Sequence, residues 1–143
     1  MSVEIEVLQT PTAEIVEAFA RLLPQLSTSA TPLDADALSQ LADWPGLTTL
    51  LARHDTAIVG TLTLVTFPTP TGLRAWIEDV VVDESARGLG VGAALTNDAI
   101  RRAQEAGPRS LDLTSRASRA AANRLYERLG FAVRDSKLYR FAG

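Results

Sequence analysis

The residues best placed to do chemistry begin at Arg87. Arg87-Gly88-Leu89-Gly90-Val91-Gly92 lies between an apolar run, Val80-Val81-Val82, and a helix-forming stretch from Ala93. Glycines at alternate positions let the backbone take positive φ and approach a ligand. A helix starting there aims free N–H groups and its positive dipole end into the loop. That chemistry is anion binding, and a diphosphate fits it. A tight turn alone would need only one of the three glycines. A P-loop requires Gly-Lys-Ser/Thr, whereas Gly92 is followed by Ala93-Ala94. Gly88, Gly90 and Ala93 formally satisfy the dinucleotide fingerprint, with Asp112 about 20 residues on. That fingerprint expects several βαβ units, and here one more helix and a hairpin complete the sequence.

Other chemistry is excluded by what is missing. The chain has no Cys and a single His, His54. Disulfides, thiolate nucleophiles, cysteine zinc sites and multi-histidine metal sites are therefore out. His54 falls in a hairpin turn and reads as structural or solvent-exposed. No metal is expected.

The elements that must position the loop can be read from periodicity. Val3 to Gln9 alternates as a strand with one wet face. Thr10-Pro11 reads as an N-cap and first helical residue, with Ile15, Phe19, Leu22, Leu23 and Leu26 at helical spacing and Pro24 ending or kinking the helix. Asp34 caps a short helix with Leu38 and Leu41, closed by Trp44-Pro45-Gly46. Leu47 to Arg53 and Ala57 to Phe67 form a hairpin around His54-Asp55-Thr56. Leu73 to Val82 is the next strand, apolar on both faces at its end as in a central strand. A Gly-rich loop from Asp83 to Gly92 leads to a helix from Ala93 to Ala106, stopped by Gly107-Pro108. Ser110 to Thr114 is a short strand. Ser118 caps a helix to Leu129, and Phe131 to Phe141 is strand material broken by Asp135-Ser136-Lys137. The order is β-α-α-β-β-β-α-β-α-β-β: a mixed, mostly antiparallel α/β sheet with flanking helices, in one domain over residues 1–143.

Three segments joined to this order carry a resemblance. Arg87-Gly88-Leu89-Gly90-Val91-Gly92 matches a Q/R-x-x-G-x-G/A loop, and Trp76-Ile77-Glu78-Asp79-Val80-Val81-Val82 looks like the strand leading into it. Asn123-Arg124-Leu125-Tyr126-Glu127-Arg128-Leu129-Gly130-Phe131 matches N-x-x-Y-x-x-x-G-F. Over essentially the whole chain, the sequence resembles the GNAT superfamily of N-acetyltransferases, a fold of acyl-CoA N-acyltransferases. The resemblance implies acetyl-CoA as co-substrate and a primary amine as acceptor, in a direct ternary-complex transfer. It implies that amides around Arg87, Gly88, Gly90, Gly92 and Ala93 hold the pyrophosphate. Main-chain groups of Val80, Val81 and Val82 would pair with the pantetheine arm, and Asn123 would bond the same arm. Arg87, Arg124 and Arg128 are candidates for the 3′-phosphate.

Two side chains are catalytic candidates. Asn123 and Tyr126 share a helix face. Tyr126 is either a core aromatic or the general acid for the leaving thiolate, since a phenol (pKa about 10) matches its basicity. Glu78, two residues before Val80 and on the same face by alternation, is the general base or a binder of a cationic acceptor. Asp79 points the other way. The Val80 amide is a candidate oxyanion donor. Thr114-Ser115-Arg116 either lines the acceptor pocket or is plain loop. Trp44 and Trp76 read as core more than as pocket walls.

Charge adds a direction. Residues 1–84 hold twelve Asp and Glu against three Arg, while residues 85–143 hold five against ten Arg and Lys137. The basic half suits the phosphates of CoA and the acidic half leans toward a cationic acceptor. A net charge of −3 and no Lys-rich tract argue against nucleic acid. No signal peptide or membrane span is read, so a cytoplasmic, soluble protein is expected, and a homodimer is left open. A non-catalytic acyl-CoA-binding domain is the main alternative. A toxin-type acetyltransferase acting on aminoacyl-tRNA fits poorly with the acidic first half.

Overall fold

The computed structural model describes residues 2–143. In chain order the elements are β1 (Val3–Val7), α1 (Ala13–Leu26), α2 (Ala35–Asp43), β2 (Leu47–His54), β3 (Ala57–Thr69), β4 (Gly72–Val82), a 3₁₀ turn (Glu84–Ala86), α3 (Val91–Ala106), β5 (Ser110–Leu113) and α4 (Ala120–Arg128). The strands form one sheet in sequence order. Every pairing is antiparallel except β4 with β5, which α3 joins as a parallel crossover.

Each face of the sheet is covered. Leu50, Leu62, Leu64, Ala75 and Ile77 meet Val91, Leu95 and Ala99 of α3 on one side. Leu51, Ile58 and Val81 meet Ile15, Phe19, Leu22 and Leu38 of α1 and α2 on the other. The α3 contact is close because Gly60 has no side chain. A Cβ there would lie 3.0 Å from a Val91 methyl and 3.1 Å from a Leu95 methyl. That approach holds the start of α3 beside the end of β4.

Several local expectations are corrected. Thr12, not Thr10, caps α1, its hydroxyl accepting from the Ile15 amide at 3.3 Å. Pro24 lies inside α1, where one lost bond in the last turn does not stop the helix. Asp34 caps α2 as expected. Arg119 rather than Ser118 occupies the N-cap of α4, with no side-chain cap. The last two expected strands are absent: Phe131 to Phe141 joins no ladder, and Val133, Leu138, Tyr139 and Phe141 are exposed. β-formers make a strand only where a neighbour supplies the ladder, and a lone hairpin is marginal. No helix among the described residues is long and apolar enough to cross a membrane.

One long-range ion pair fixes the exit from β4. The Arg21 guanidinium on α1 donates to the Asp83 carboxylate and, at 3.1 Å, to the Ile58 carbonyl. Gln25 accepts from the Glu84 amide at 3.0 Å. The Ser85 amide, opposed by burial and then helped by Arg21, holds the Asp83 carboxyl below the usual Asp range. Asp83 therefore stabilises the fold above its ordinary pKa, and that contribution is lost as pH falls through its lower folded value. Arg21→Ala should cost about 1–2 kcal/mol at neutral pH, since a charged hydrogen bond is lost from a partly exposed site. The cost should shrink below about pH 4, where the carboxylate begins to protonate; urea unfolding at the two pH values checks both.

Candidate active site at the parting of two strands

β4 and β5 do not stay together. Their pairing runs from Arg74 opposite Ser110 to Ile77 opposite Leu113, and β4 continues alone from Glu78 to Val82. On its other edge β4 remains on β3, with Thr61 opposite Val81 and Gly60 opposite Val82. The Asp83 amide donates to the Val59 carbonyl at 2.8 Å, toward β3. By alternation the main-chain groups of Val82 and Val80 turn the other way, to the edge that β5 has left. The sheet thus presents a short length of unsatisfied backbone facing a cleft.

A bulge accompanies the parting. The register on β3 slips between Thr61 and Thr63, so that Thr63 faces Glu78 while Thr61 faces Val81. Asp79 takes φ 51°, a left-handed conformation unusual for a non-glycine residue. The extra residue corrects the expected facing of Glu78. Its side chain shares a face with Trp76 and Val81, whereas Val80 packs toward the α3 core with Val82.

At the end of β4 the glycine loop meets α3. Gly90 is the N-cap with φ 81°, and Gly88 has φ 83°; a Cβ on either would meet nothing within 4 Å. These two glycines answer to backbone conformation and leave open space in front of them. Gly92 does a different job, since a Cβ there would lie 3.3 Å from a Leu125 methyl of α4. The Ala94 amide bonds the Gly90 carbonyl, which leaves the amides of Val91, Gly92 and Ala93 as the unpaired first turn. No side chain caps them and no acidic residue sits in that turn. The Arg87 amide is already used, donating to the Glu84 carbonyl at 3.4 Å. Arg87, Arg124 and Arg128 make no ion pair among the described residues, whereas Arg101 and Arg102 are spent on Asp98 and Glu105.

α4 closes the cleft from beyond β5. The Asn123 amide group donates to the Arg116 carbonyl at 3.0 Å, tying α4 to the loop after β5. Tyr126 is 8% exposed and stacks edge-on to Phe131 at 6.0 Å between ring centres. Phe131 packs in turn on the core that holds Val80 and Val82. Burial pushes the Tyr126 phenol above its ordinary value, with Arg119 pulling the other way. Among the described residues its hydroxyl has no hydrogen-bond partner.

On the sheet face that carries α1 and α2 lies a cavity of about 400 Å³. Its floor is Val65 and Phe67 of β3 with Trp76 and Glu78 of β4; Thr114 after β5 and Leu138 and Arg140 of the C-terminal segment form its sides. Trp76 is thus a pocket wall and Trp44 is 65% exposed, so neither is the core residue expected. His54 is half-buried at the end of β2, away from this site. Sequence reading missed Arg140, Arg21 and the bulge. Arg140 lies in a stretch whose alternation signalled strand and nothing more.

A mostly antiparallel sheet with one parallel pair, split beside a glycine-rich helix start, defines an acyltransferase fold. Residues 13–131 match the model of the Acetyltransferase (GNAT) family, and the chain belongs to that family. It is 35% identical over 119 residues to glucosamine 6-phosphate N-acetyltransferase of Trypanosoma brucei brucei, covering 78% of this chain and 79% of that one. A solved Trypanosoma brucei acetyltransferase is 30% identical over 98% of this chain and 99% of its own, with a TM-score of 0.79. An aminoglycoside acetyltransferase from an uncultured soil metagenomic sample shares the fold at 18% identity and a TM-score of 0.84, over 99% and 95% of the two chains. The protein is an N-acetyltransferase of a family that uses acetyl-CoA as co-substrate.

The two kinds of glycine separate experimentally. Gly92→Leu should force α4 off α3 and cost about 1–3 kcal/mol. Gly90→Asn, which tolerates the left-handed conformation, should stay within about 1 kcal/mol of wild type in thermal unfolding. Equal losses would contradict the distinction.

Proposed function

We propose that residues 1–143 act as one catalytic unit that transfers the acetyl group of acetyl-CoA directly to a primary amine of a small molecule. The observation that carries this reading is the unpaired outer edge of β4 ending at the uncapped start of α3. An extended, amide-bearing pantetheine arm is the kind of ligand that adds to such an edge. Main-chain groups of Val80 and Val82, with Val81 between them, receive it. Amides at Gly88, Gly90, Gly92 and Ala93 take the pyrophosphate, supported by the helix dipole. Arg87 contributes its guanidinium rather than its amide, and Arg124 and Arg128 stand by for the 3′-phosphate. Asn123, whose amide group already holds Arg116, meets the arm through its side-chain oxygen.

The chemistry then follows from two side chains. Glu78 takes a proton from the acceptor ammonium, directly or through water. The freed amine nitrogen attacks the thioester carbonyl carbon, and the Val80 amide steadies the developing oxyanion. The C–S bond breaks, and Tyr126 gives its proton to the departing thiolate. The amide product loses its remaining proton to solvent, and the phenol is reprotonated. Burial suits Tyr126 to this work, because a raised pKa keeps it protonated through the pH range in which amines react. No thiol is present to carry a covalent acyl-enzyme. The relative from Trypanosoma brucei brucei is named for glucosamine 6-phosphate, which supports an acceptor on the scale of a monosaccharide.

Tyr126→Phe removes only the hydroxyl and keeps the ring against Phe131. Turnover should fall roughly 10²–10⁴-fold with little change in KM for acetyl-CoA. The basic limb of the wild-type pH–rate profile should lie above the ordinary phenol value, following the raised pKa. Turnover within about threefold of wild type would return Tyr126 to a packing role. Glu78→Gln should hurt most at low pH, where the amine arrives protonated, and least at high pH; an equal loss from about pH 6 to 10 would make Glu78 a binding group only.

A further inference from the structure

The cavity beside Glu78 carries two opposite charges and no more. Glu78 is its only carboxylate and Arg140 its only cation, with the Thr114 hydroxyl between polar and apolar walls. Neither charge is engaged elsewhere: among the described residues, neither Glu78 nor Arg140 makes an ion pair or a side-chain hydrogen bond. Four other carboxylates of the first half are held in internal ion pairs, and none of the remaining ones lines the cavity. Glu6 and Glu14 hold Arg53 at 2.9 Å each, and Glu17 and Asp83 hold Arg21. The acidic excess of that half therefore does not reach the cavity as a polyanionic surface. A polycationic acceptor would need several free carboxylates here, and would meet Arg140 as a repulsive charge.

Resting on the acetyl-transfer reading above, we propose that the acceptor is a small primary amine that also carries an anionic group, a phosphate or a carboxylate, and that Arg140 selects it. The ammonium lies toward Glu78, which receives its proton. The anion lies toward Arg140, whose planar guanidinium offers paired donors matched to either oxyanion. Phe67 and Trp76 supply flat apolar surface for the body of the molecule. A cavity of about 400 Å³ is at the lower end of small-molecule sites, the size for a monosaccharide or an amino acid. Arg140 is a specificity residue: it binds the acceptor at a distance from the reacting atoms.

Matched acceptors test this with the full chain by release of CoA thiol. Glucosamine 6-phosphate against glucosamine reads the phosphate, phenylalanine against phenylalaninamide reads the carboxylate, and spermidine represents a polycation. In wild type, one anionic acceptor should exceed its neutral partner in kcat/KM by roughly tenfold or more. Arg140→Ala should erase that preference through KM, leave kcat and the neutral acceptor within about threefold, and Arg140→Lys should restore part of it. Which pair shows the effect distinguishes phosphate from carboxylate. Turnover that favours spermidine or the neutral partners, or an Arg140→Ala loss shared equally by both members of a pair, overturns the proposal while leaving acetyl transfer standing. Thiol release from none of the acceptors overturns the acetyl-transfer reading and this proposal with it.

Discussion

A sheet cannot leave backbone donors and acceptors unpaired without something to meet them. Here β4 is paired on both edges only as far as Ile77, and from Glu78 on it keeps β3 alone. That half-satisfied length of strand is the constraint from which the site follows. Gly60 lets α3 press against the sheet, so its uncapped first turn stands where β4 ends. α4 and the turn after it seal the far side, Leu125 against Gly92 and Phe131 against the core. Arg21 and Gln25 reach across from α1 to pin the exit from β4.

The bulge at Asp79 divides the labour between the two sides of β4. Past it, Val80 and Val82 turn their side chains into the α3 core and their main chain to the open edge. Before it, Trp76 and Glu78 look into the cavity on the opposite face. On the proposed reading, main-chain groups of Val80 and Val82 would bind the co-substrate and the Glu78 side chain would handle the acceptor, on adjacent stretches of one strand.

Much of this was legible in the sequence because local pattern and local structure coincide there. The glycine loop, the Asn123 to Phe131 segment and the alternation of β2, β3 and β4 all depend on near neighbours. The bulge was not legible, since Asp79 is neither Gly nor Pro and simple alternation puts Glu78 with Val80. Arg21 and Asp83 are far apart in sequence, and nothing local marks them as partners. Trp44 and Trp76 are apolar enough to suggest burial, but whether a neighbour covers them is decided by tertiary packing. The C-terminal stretch has strand composition, yet strand composition does not create a partner. The charge asymmetry was visible and its use was not. Arg21 and Arg53 absorb Glu6, Glu14, Glu17 and Asp83, and of the remaining carboxylates only Glu78 lines the cavity.

The central claim is that the open edge of β4 is where acetyl-CoA lies. Residue-resolved amide hydrogen exchange, followed by NMR with and without saturating acetyl-CoA, addresses it directly. Slowed exchange at Val80 and Val82, together with the first turn of α3 at Gly92 and Ala93, is the result this account predicts. Bound acetyl-CoA that leaves the Val80 and Val82 amides exchanging as in the free protein would contradict it.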